Sequence, residues 1–167
     1  MQRLLMPLLT AGAGLILASC SSSRMTSDDF RGTHAVLRGN RAYAPPDAPP
    51  IVHRAIAAGN SIQGVPYEYG GGHGKRSRGL DCSGTVSYVL RSCGLMRGAM
   101  PSKGFKKFGD GGAGKWITIY ARDGHAFMTV AGLRLDTTRH GNGEAGPTWN
   151  PQPRRVTGFK TRHPAGL

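Results

Sequence analysis

The N-terminal part of the chain is the most apolar stretch of the sequence. Apart from the basic residue Arg3 near its start, the stretch 1–18 consists almost entirely of apolar and small side chains, which is typical of an export signal. The stretch is short and is interrupted by Pro7, Gly12 and Gly14, so it does not predict a membrane-spanning helix. We therefore expect a signal peptide over residues 1–19.

The next segment has a different pattern. Residues 21–50 carry few aliphatic side chains and end in a proline-rich run. Such a segment buries too little apolar surface to hold a fold, so we expect residues 20–50 to form a largely disordered tether. A packed arm is the alternative for residues 30–43, which hold four larger apolar side chains. These are Phe30, Val36, Leu37 and Tyr43.

From residue 51 onward the pattern is that of a folded domain, which we place at 51–167. Apolar residues recur at helical spacing over 51–63 and again over 82–93, so we expect two helices. The second helix begins near Asp81 and ends at Gly94, a residue type that commonly terminates helices.

Alternating apolar and polar positions follow a glycine-rich excursion over 97–114 that has no clear period. They predict four strands, at 116–120, 125–131, 133–137 and 155–160. Helices followed by a run of neighbouring strands indicate an α+β domain, with N-terminal helices packed on an antiparallel sheet.

Composition narrows the choice of fold and partner. The 26 glycines and 11 prolines among 167 residues exclude a coiled coil and a helical bundle. Lys and Arg number 22 against 9 Asp and Glu, a net charge of +13. In a cytosolic protein this charge would suit nucleic acid. The export signal instead favours an anionic cell envelope as the partner, and no nucleic acid.

The end of the export signal carries a more specific pattern. Residues 17–20, Leu-Ala-Ser-Cys, resemble the bacterial lipoprotein box, in which the cysteine is lipidated and becomes the first mature residue. The resemblance implies a lipid on Cys20, and Ser21 rather than Asp after it implies an outer-membrane lipoprotein facing the periplasm. An ordinary cleaved signal that happens to contain a cysteine is the alternative.

Cys82 lies where a helix would make its thiol reactive. In the first turn of the predicted helix it faces unpaired backbone N–H groups and the positive end of the helix dipole, which favour the thiolate. The same N–H groups could stabilise an oxyanion during acyl transfer. Cys93 lies about 16 Å further along the same helix, at 1.5 Å per residue, and is expected in the core.

A nucleophilic cysteine needs a base, and the chain has six histidines. Most lie among glycine, proline and basic residues in predicted loops. His125 differs because it opens an alternating strand directly after the turn-like pair Asp123-Gly124. A strand end fixes an imidazole better than a loop does, so His125 is the expected base.

The next hairpin suggests a third member of the site. If residues 131–132 form a two-residue turn, His125 and Asp136 share one face on the diagonal, within reach of each other. A carboxylate there would orient the imidazole and stabilise its charged form. A three-residue turn would move Asp136 to the other face, with Thr137 and His140 as the alternatives.

Three short motifs together resemble a known family. They are Tyr-Glu-Tyr-Gly-Gly at 67–71, Gly-Leu-Asp-Cys-Ser-Gly at 79–84 and Gly-His-Ala at 124–126. They look like those of the NlpC-type cysteine peptidases, papain-like enzymes that cut bacterial cell-wall peptides. The resemblance covers roughly residues 51–140 and is most specific around Cys82.

The resemblance implies roles for individual residues. Cys82 would be the nucleophile and His125 the base, with Asp136 at the third position, where many members carry histidine. Three further residues would bind substrate: Tyr67 matches the active-site tyrosine of the family, and Asp81 and Ser83 match positions that grip a free peptide amine.

These patterns lead to one principal hypothesis. The protein would be a lipid-anchored peptidoglycan endopeptidase that hydrolyses an amide bond of the stem peptide, with γ-D-glutamyl-diaminopimelate as the usual target of the family. A Cys-His-Asp triad and a thioester intermediate would carry the reaction, with no cofactor, and no metal is expected because the spacing of metal ligands is absent. The alternatives are a non-catalytic cell-wall-binding lipoprotein and an acyl transferase.

Overall fold

The computed structural model describes residues 33–74, 77–138 and 144–167. The chain begins with a hairpin of β1 (Val36–Arg38) and β2 (Arg41–Tyr43), followed by helices α1 (Pro50–Ser61) and α2 (Cys82–Ser92). A short helix α3 (Ser102–Phe105) precedes β3 (Asp110–Gly111), β4 (Ile117–Arg122), β5 (His125–Val130), β6 (Leu133–Thr138), β7 (Glu144–Asn150) and β8 (Lys160–His163). Mixed helices and antiparallel strands make this an α+β protein, as the sequence predicts.

The last six strands form one antiparallel sheet in the order β3-β8-β4-β5-β6-β7. Four side chains lie side by side across its middle because their strands pair in register: Ile119, Met128, Leu135 and Trp149. All four are buried. Side chains of successive residues alternate between faces, so these positions define the face against which α1 and α2 pack.

The opposite face of the sheet carries a different set of side chains. Tyr120 and Phe127 stack there with ring centroids 4.7 Å apart. His125 and Asp136 occupy positions of the same parity on β5 and β6. The polar candidates for chemistry and the apolar core therefore lie on different faces, and His125 is placed at the end of its strand.

The predicted helices are confirmed with small changes at their ends. Helix α1 covers Pro50–Ser61 rather than 51–63, and α2 covers Cys82–Ser92. Gly94 follows α2 with a φ of +74°, a left-handed conformation that glycine adopts without strain and that terminates the helix. No described helix is both long and apolar enough to cross a membrane.

The tether prediction is wrong for the part of it that the structure describes. Residues 33–50 include the β1-β2 hairpin, which packs on the domain, so the alternative of a packed arm holds for 33–43. The side chain of Asn60 on α1 accepts a hydrogen bond from the Ala42 N–H and donates one to the Ala42 carbonyl, both at 2.8 Å. Two such bonds fix a hairpin that its own composition does not predict. Residues 1–32 lie outside the described part of the chain.

Two strand predictions also differ from the structure. The strand expected at 155–160 lies instead at Lys160–His163, because residues 156–159 form a turn in which Phe159 donates its N–H to the Val156 carbonyl at 3.0 Å. Strand β7 was not predicted. Within the excursion over 97–114, α3 is anchored by Phe105, whose side chain is fully buried.

Candidate active site

Helix α2 presents Cys82 at its first residue. Asp81 caps the helix: its extended backbone turns into the helix, and its side chain accepts a hydrogen bond from the Gly84 N–H at 2.6 Å. None of the described groups accepts a hydrogen bond from the Cys82 N–H, which is left for a bound oxygen atom. Both Cys82 and Cys93 are free thiols. Burial raises the pKa of Cys93, which packs in the core as expected.

His125 lies at the first position of β5. Its strand follows a two-residue turn in which Gly124 has a φ of +82°. The Nε2 atom of His125 is 3.0 Å from Oδ1 of Asp136. The thiol of Cys82 lies close enough to the same imidazole to raise its pKa. Because Nε2 faces Asp136, Nδ1 is the nitrogen left for the thiol. The structure therefore brings Cys82, His125 and Asp136 together.

The predicted two-residue turn between β5 and β6 sets the register that places Asp136 beside His125. Residues 131–132 form a two-residue turn in which Ala131 and Gly132 have φ values of 46° and 76°, and Val130 pairs with Leu133. Positive φ at both central positions is the geometry of a tight hairpin turn. The register places Asp136 on the same face as His125, and the three-residue alternative is excluded.

The contacts of His125 make it an unusually strong base. Burial lowers the pKa of His125, but hydrogen bonds and charge interactions with Asp136 and Cys82 outweigh burial and raise it from 6.5 to about 9. Burial likewise opposes ionisation of Asp136. The hydrogen bond and charge of His125, together with Arg154, nevertheless hold the pKa of Asp136 below its usual value. A carboxylate that stays ionised beside a basic imidazole is what a cysteine nucleophile requires.

Asp136 is shared by two arginines as well as His125. Arg154 donates to Oδ2 of Asp136 at 2.6 Å, and Arg134 donates to the same oxygen at 3.3 Å. The Asp136 side chain has no exposed surface. Arg154 also lies 3.1 Å from Nε2 of His125. When Nε2 of His125 donates to Asp136, it cannot also accept a hydrogen bond from Arg154. The imidazole and the guanidinium therefore lie close together because both contact the Asp136 carboxylate, and not because they bond to each other.

Aromatic rings pack against the imidazole of His125. Phe159 meets His125 edge to face, with ring centroids 6.2 Å apart, and meets Phe127 in the same way at 5.3 Å. The guanidinium of Arg154 lies over the Phe127 ring at 5.0 Å. These rings keep water away from the contact between His125 and Asp136, which strengthens it.

A cleft of about 280 Å³ opens beside the thiol. Its lining includes Cys82 and Ser102 as well as Tyr67, Asp81 and Ser83, so the three predicted substrate-binding residues lie beside the Cys82 thiol. Tyr69 also borders the cleft and is 91% exposed. A bound chain could thus contact Tyr67 and Tyr69 while one of its carbonyl groups approaches Cys82.

Asp81 and Ser83 are more constrained than the sequence suggests. Ser83 donates to Oδ1 of Asp81 at 3.0 Å, and Nε2 of His73 lies 3.0 Å from the Ser83 hydroxyl and 3.3 Å from Oδ1 of Asp81. The other oxygen of Asp81 accepts the Gly70 N–H at 3.1 Å. Asp81 therefore organises the loop before α2, and all three residues of this cluster, His73, Asp81 and Ser83, border the cleft.

The remaining predicted site residues are placed differently. Thr137 points away from His125, and its buried hydroxyl has no hydrogen-bond partner among the described residues. His140, the other alternative, and Cys20, the expected lipid attachment site, lie outside the described part of the chain. Among described side chains, no cluster of His, Cys, Asp and Glu could hold a metal ion.

Sequence reasoning missed four residues that shape the site: His73, Arg134, Arg154 and Phe159. His73 and Phe159 lie in loops, and Arg154 follows a strand that was not predicted. The alternation of β6 did place Arg134 and Asp136 on one face, a signal that could have revealed Arg134. Comparison of the chain with protein-family models and with curated proteins found no match.

Proposed function

We propose that the protein is a cysteine peptidase of the NlpC type, with the papain-like arrangement of that family. The observation that carries the proposal is the imidazole of His125, which hydrogen-bonds to the Asp136 carboxylate and lies close enough to the Cys82 thiol for that thiol to raise its pKa. A nucleophile, a base and an orienting acid in that order are the arrangement of a catalytic triad. The resemblance of residues 67–71 and 79–84 to the motifs of the family adds sequence support.

The geometry supports a two-step reaction. The basic His125 takes the proton of the Cys82 thiol, and the resulting thiolate attacks the carbonyl carbon of an amide bond. The Cys82 N–H at the start of α2 donates to the oxyanion, with Tyr67 beside it in the cleft. The protonated imidazole then gives its proton to the leaving amine, which departs and leaves a thioester on Cys82.

Water completes the cycle. His125 removes a proton from a water molecule, which attacks the thioester carbonyl and releases the acid product and the free thiol. Asp136 keeps Nε2 of His125 as the donor nitrogen throughout, so Nδ1 stays available for each proton transfer. If an amine or hydroxyl replaced water, the same site would act as an acyl transferase. The product mass distinguishes the two outcomes.

We propose a stem peptide of peptidoglycan as the substrate, with γ-D-glutamyl-diaminopimelate as the target bond. The motif resemblance supports this choice, and so does the excess of basic residues, since stem peptides carry carboxylates. The order of residues 17–20 supports a lipid on Cys20 and a place on the periplasmic side of the outer membrane. Incorporation of a labelled fatty acid, lost in Cys20→Ser, tests the anchor separately.

The decisive experiment uses the two free thiols of the domain as variant and control. Purified sacculi are incubated with the full chain, with Cys82→Ala or with Cys93→Ala, and soluble fragments are identified by mass spectrometry. Cys82→Ala should release no fragments, whereas Cys93→Ala, altered in the core, should release the same fragments as the unmodified protein. Equal release by Cys82→Ala would reject Cys82 as nucleophile. No release by any variant, with intact binding to sacculi, would favour the non-catalytic alternative.

A further inference from the structure

A second pocket lies on the face of the sheet that carries His125 and Asp136. Thr129, Arg134 and Asn150 are adjacent on β5, β6 and β7, because Arg134 pairs with both of the others, and they form the floor of the pocket. The chain after β7 runs along one side and contributes Arg154. The stacked rings of Tyr120 and Phe127 complete the lining. We call this the arginine pocket.

Its size suits a small organic molecule. The volume is about 360 Å³, at the lower end of the range typical of ligand pockets. The lining combines two guanidinium groups and two amide side chains with aromatic rings and prolines. An inorganic ion would leave the apolar part of such a lining unused, whereas a ligand with one charged end and one apolar end would use both parts.

The charge of the pocket is not balanced from within. Arg134 is buried, with 7% of its side chain exposed, and its Nε–H has no hydrogen-bond partner among the residues that the structure describes. The Asp136 carboxylate that it contacts at 3.3 Å is also held by Arg154 and His125. Among the described side chains, one negative charge thus serves three basic groups. Buried arginines normally have their charge paired, so the arrangement favours an added anion.

We propose that the arginine pocket binds an organic carboxylate, whose charged group is held by Arg134 and Arg154 and whose flat apolar part contacts the aromatic pair. Arginine suits this role because its planar guanidinium donates two parallel hydrogen bonds to a carboxylate. The proposal is independent of the reaction at Cys82, because Cys82 does not line the pocket. Arg154 touches both the pocket and Asp136, so an occupant would lie one side chain away from His125.

The test uses benzoate as the probe, with neutral benzamide and inorganic phosphate as comparison probes, at constant ionic strength. Binding is followed by the backbone amide signals of the isotopically labelled full chain. Benzoate should shift the signals of Phe127 and Thr129 in a saturable way and bind about tenfold or more tighter than benzamide, a margin expected for charge-assisted hydrogen bonds. Phosphate should bind more weakly than benzoate.

Variants then locate the site. Arg134→Met should weaken benzoate binding about tenfold or more, whereas Arg155→Met, the loss of an exposed arginine next to the pocket lining, should leave binding unchanged. Thr129→Tyr fills the pocket without altering its charge and should also abolish binding, which provides a test if Arg134→Met fails to fold. Cys82→Ala should bind benzoate normally, which separates this proposal from the proposed peptidase activity.

Several results would overturn the proposal. Equal affinities for benzoate and benzamide would show that no cationic group holds the carboxylate. Equal loss of binding in Arg155→Met would indicate attraction to the general positive charge of the protein. Phosphate binding as tight as that of benzoate, or benzoate-induced shifts confined to the cleft beside Cys82, would also contradict the assignment.

Discussion

The contact between His125 and Asp136 predicts a specific pH dependence of folding stability. Asp136→Asn keeps the size of the side chain and removes its charge. Burial lowers the pKa of His125, but Asp136 and Cys82 together raise it to about 9, from 6.5 for an ordinary histidine. At 1.36 kcal/mol per pH unit, this interval corresponds to a stabilisation of at most about 3 kcal/mol.

The direction follows from which state binds the proton more tightly. Because the pKa of His125 is higher in the folded protein, the stabilisation is complete below pH 6.5 and is lost as the pH rises toward 9. The pKa of Asp136 is lowered, so that group stays ionised throughout this interval and adds no slope of its own. The free energy of unfolding of the unmodified protein should therefore fall between pH 6.5 and 9. The fall in Asp136→Asn should be smaller by about 1 kcal/mol or more.

Urea unfolding at a series of pH values measures this difference, with the fluorescence of the buried Trp116 and Trp149 as the signal. Asp136→Asn also deprives two arginines of their carboxylate, which lowers stability equally at every pH and leaves the slope unaffected. The raised pKa of Cys93 adds a slope common to both proteins, which cancels in the comparison. Asp123→Asn, an exposed carboxylate paired with Lys106, is the matched control and should follow the unmodified protein. Parallel curves for Asp136→Asn and the unmodified protein would refute the reasoning.

Two further predictions concern the thiols and the packing of α1. Iodoacetamide at neutral pH should alkylate Cys82 at least about tenfold faster than Cys93, because Cys82 lies beside the basic imidazole of His125 whereas burial raises the pKa of Cys93. Peptide mass spectrometry measures both rates. Preferential labelling of Cys93 would contradict an activated thiol at Cys82. Gly59→Ala should destabilise the protein by about 1–3 kcal/mol in urea unfolding, because the added methyl group would lie 2.2 Å from a ring carbon of Trp149. Gly98→Ala, which meets nothing within 4 Å, is the control, and equal stability of the two variants would contradict the packing described.

The parts of the fold that follow local rules could be predicted from the sequence. Apolar spacing and Gly94 define α2, and the cap residue Asp81 puts Cys82 at its first position. The two-residue turn after β5 fixes the register that brings His125 to Asp136. In each case the deciding interaction lies within a few residues along the chain, where spacing alone carries the information.

Features that depend on distant partners could not be predicted in this way. The β1-β2 hairpin is held by Asn60, 18 residues after Ala42, so its composition alone indicated a tether. Arg154 reaches Asp136 from a loop 18 residues away, and Phe159 meets His125 across 34 residues. Nothing in the local pattern marks such residues, because their roles arise only when the sheet has assembled.

The single carboxylate at the centre of the site constrains how this sequence can diverge. Asp136 holds His125, Arg134 and Arg154 at once, so the effects of substitutions among these residues cannot be additive. Replacing either arginine leaves the contact between Asp136 and His125 in place, but replacing Asp136 first leaves a buried and a partly buried arginine side by side without their carboxylate. The order in which mutations accumulate therefore matters, because replacing Asp136 costs less stability once the arginines beside it have been replaced.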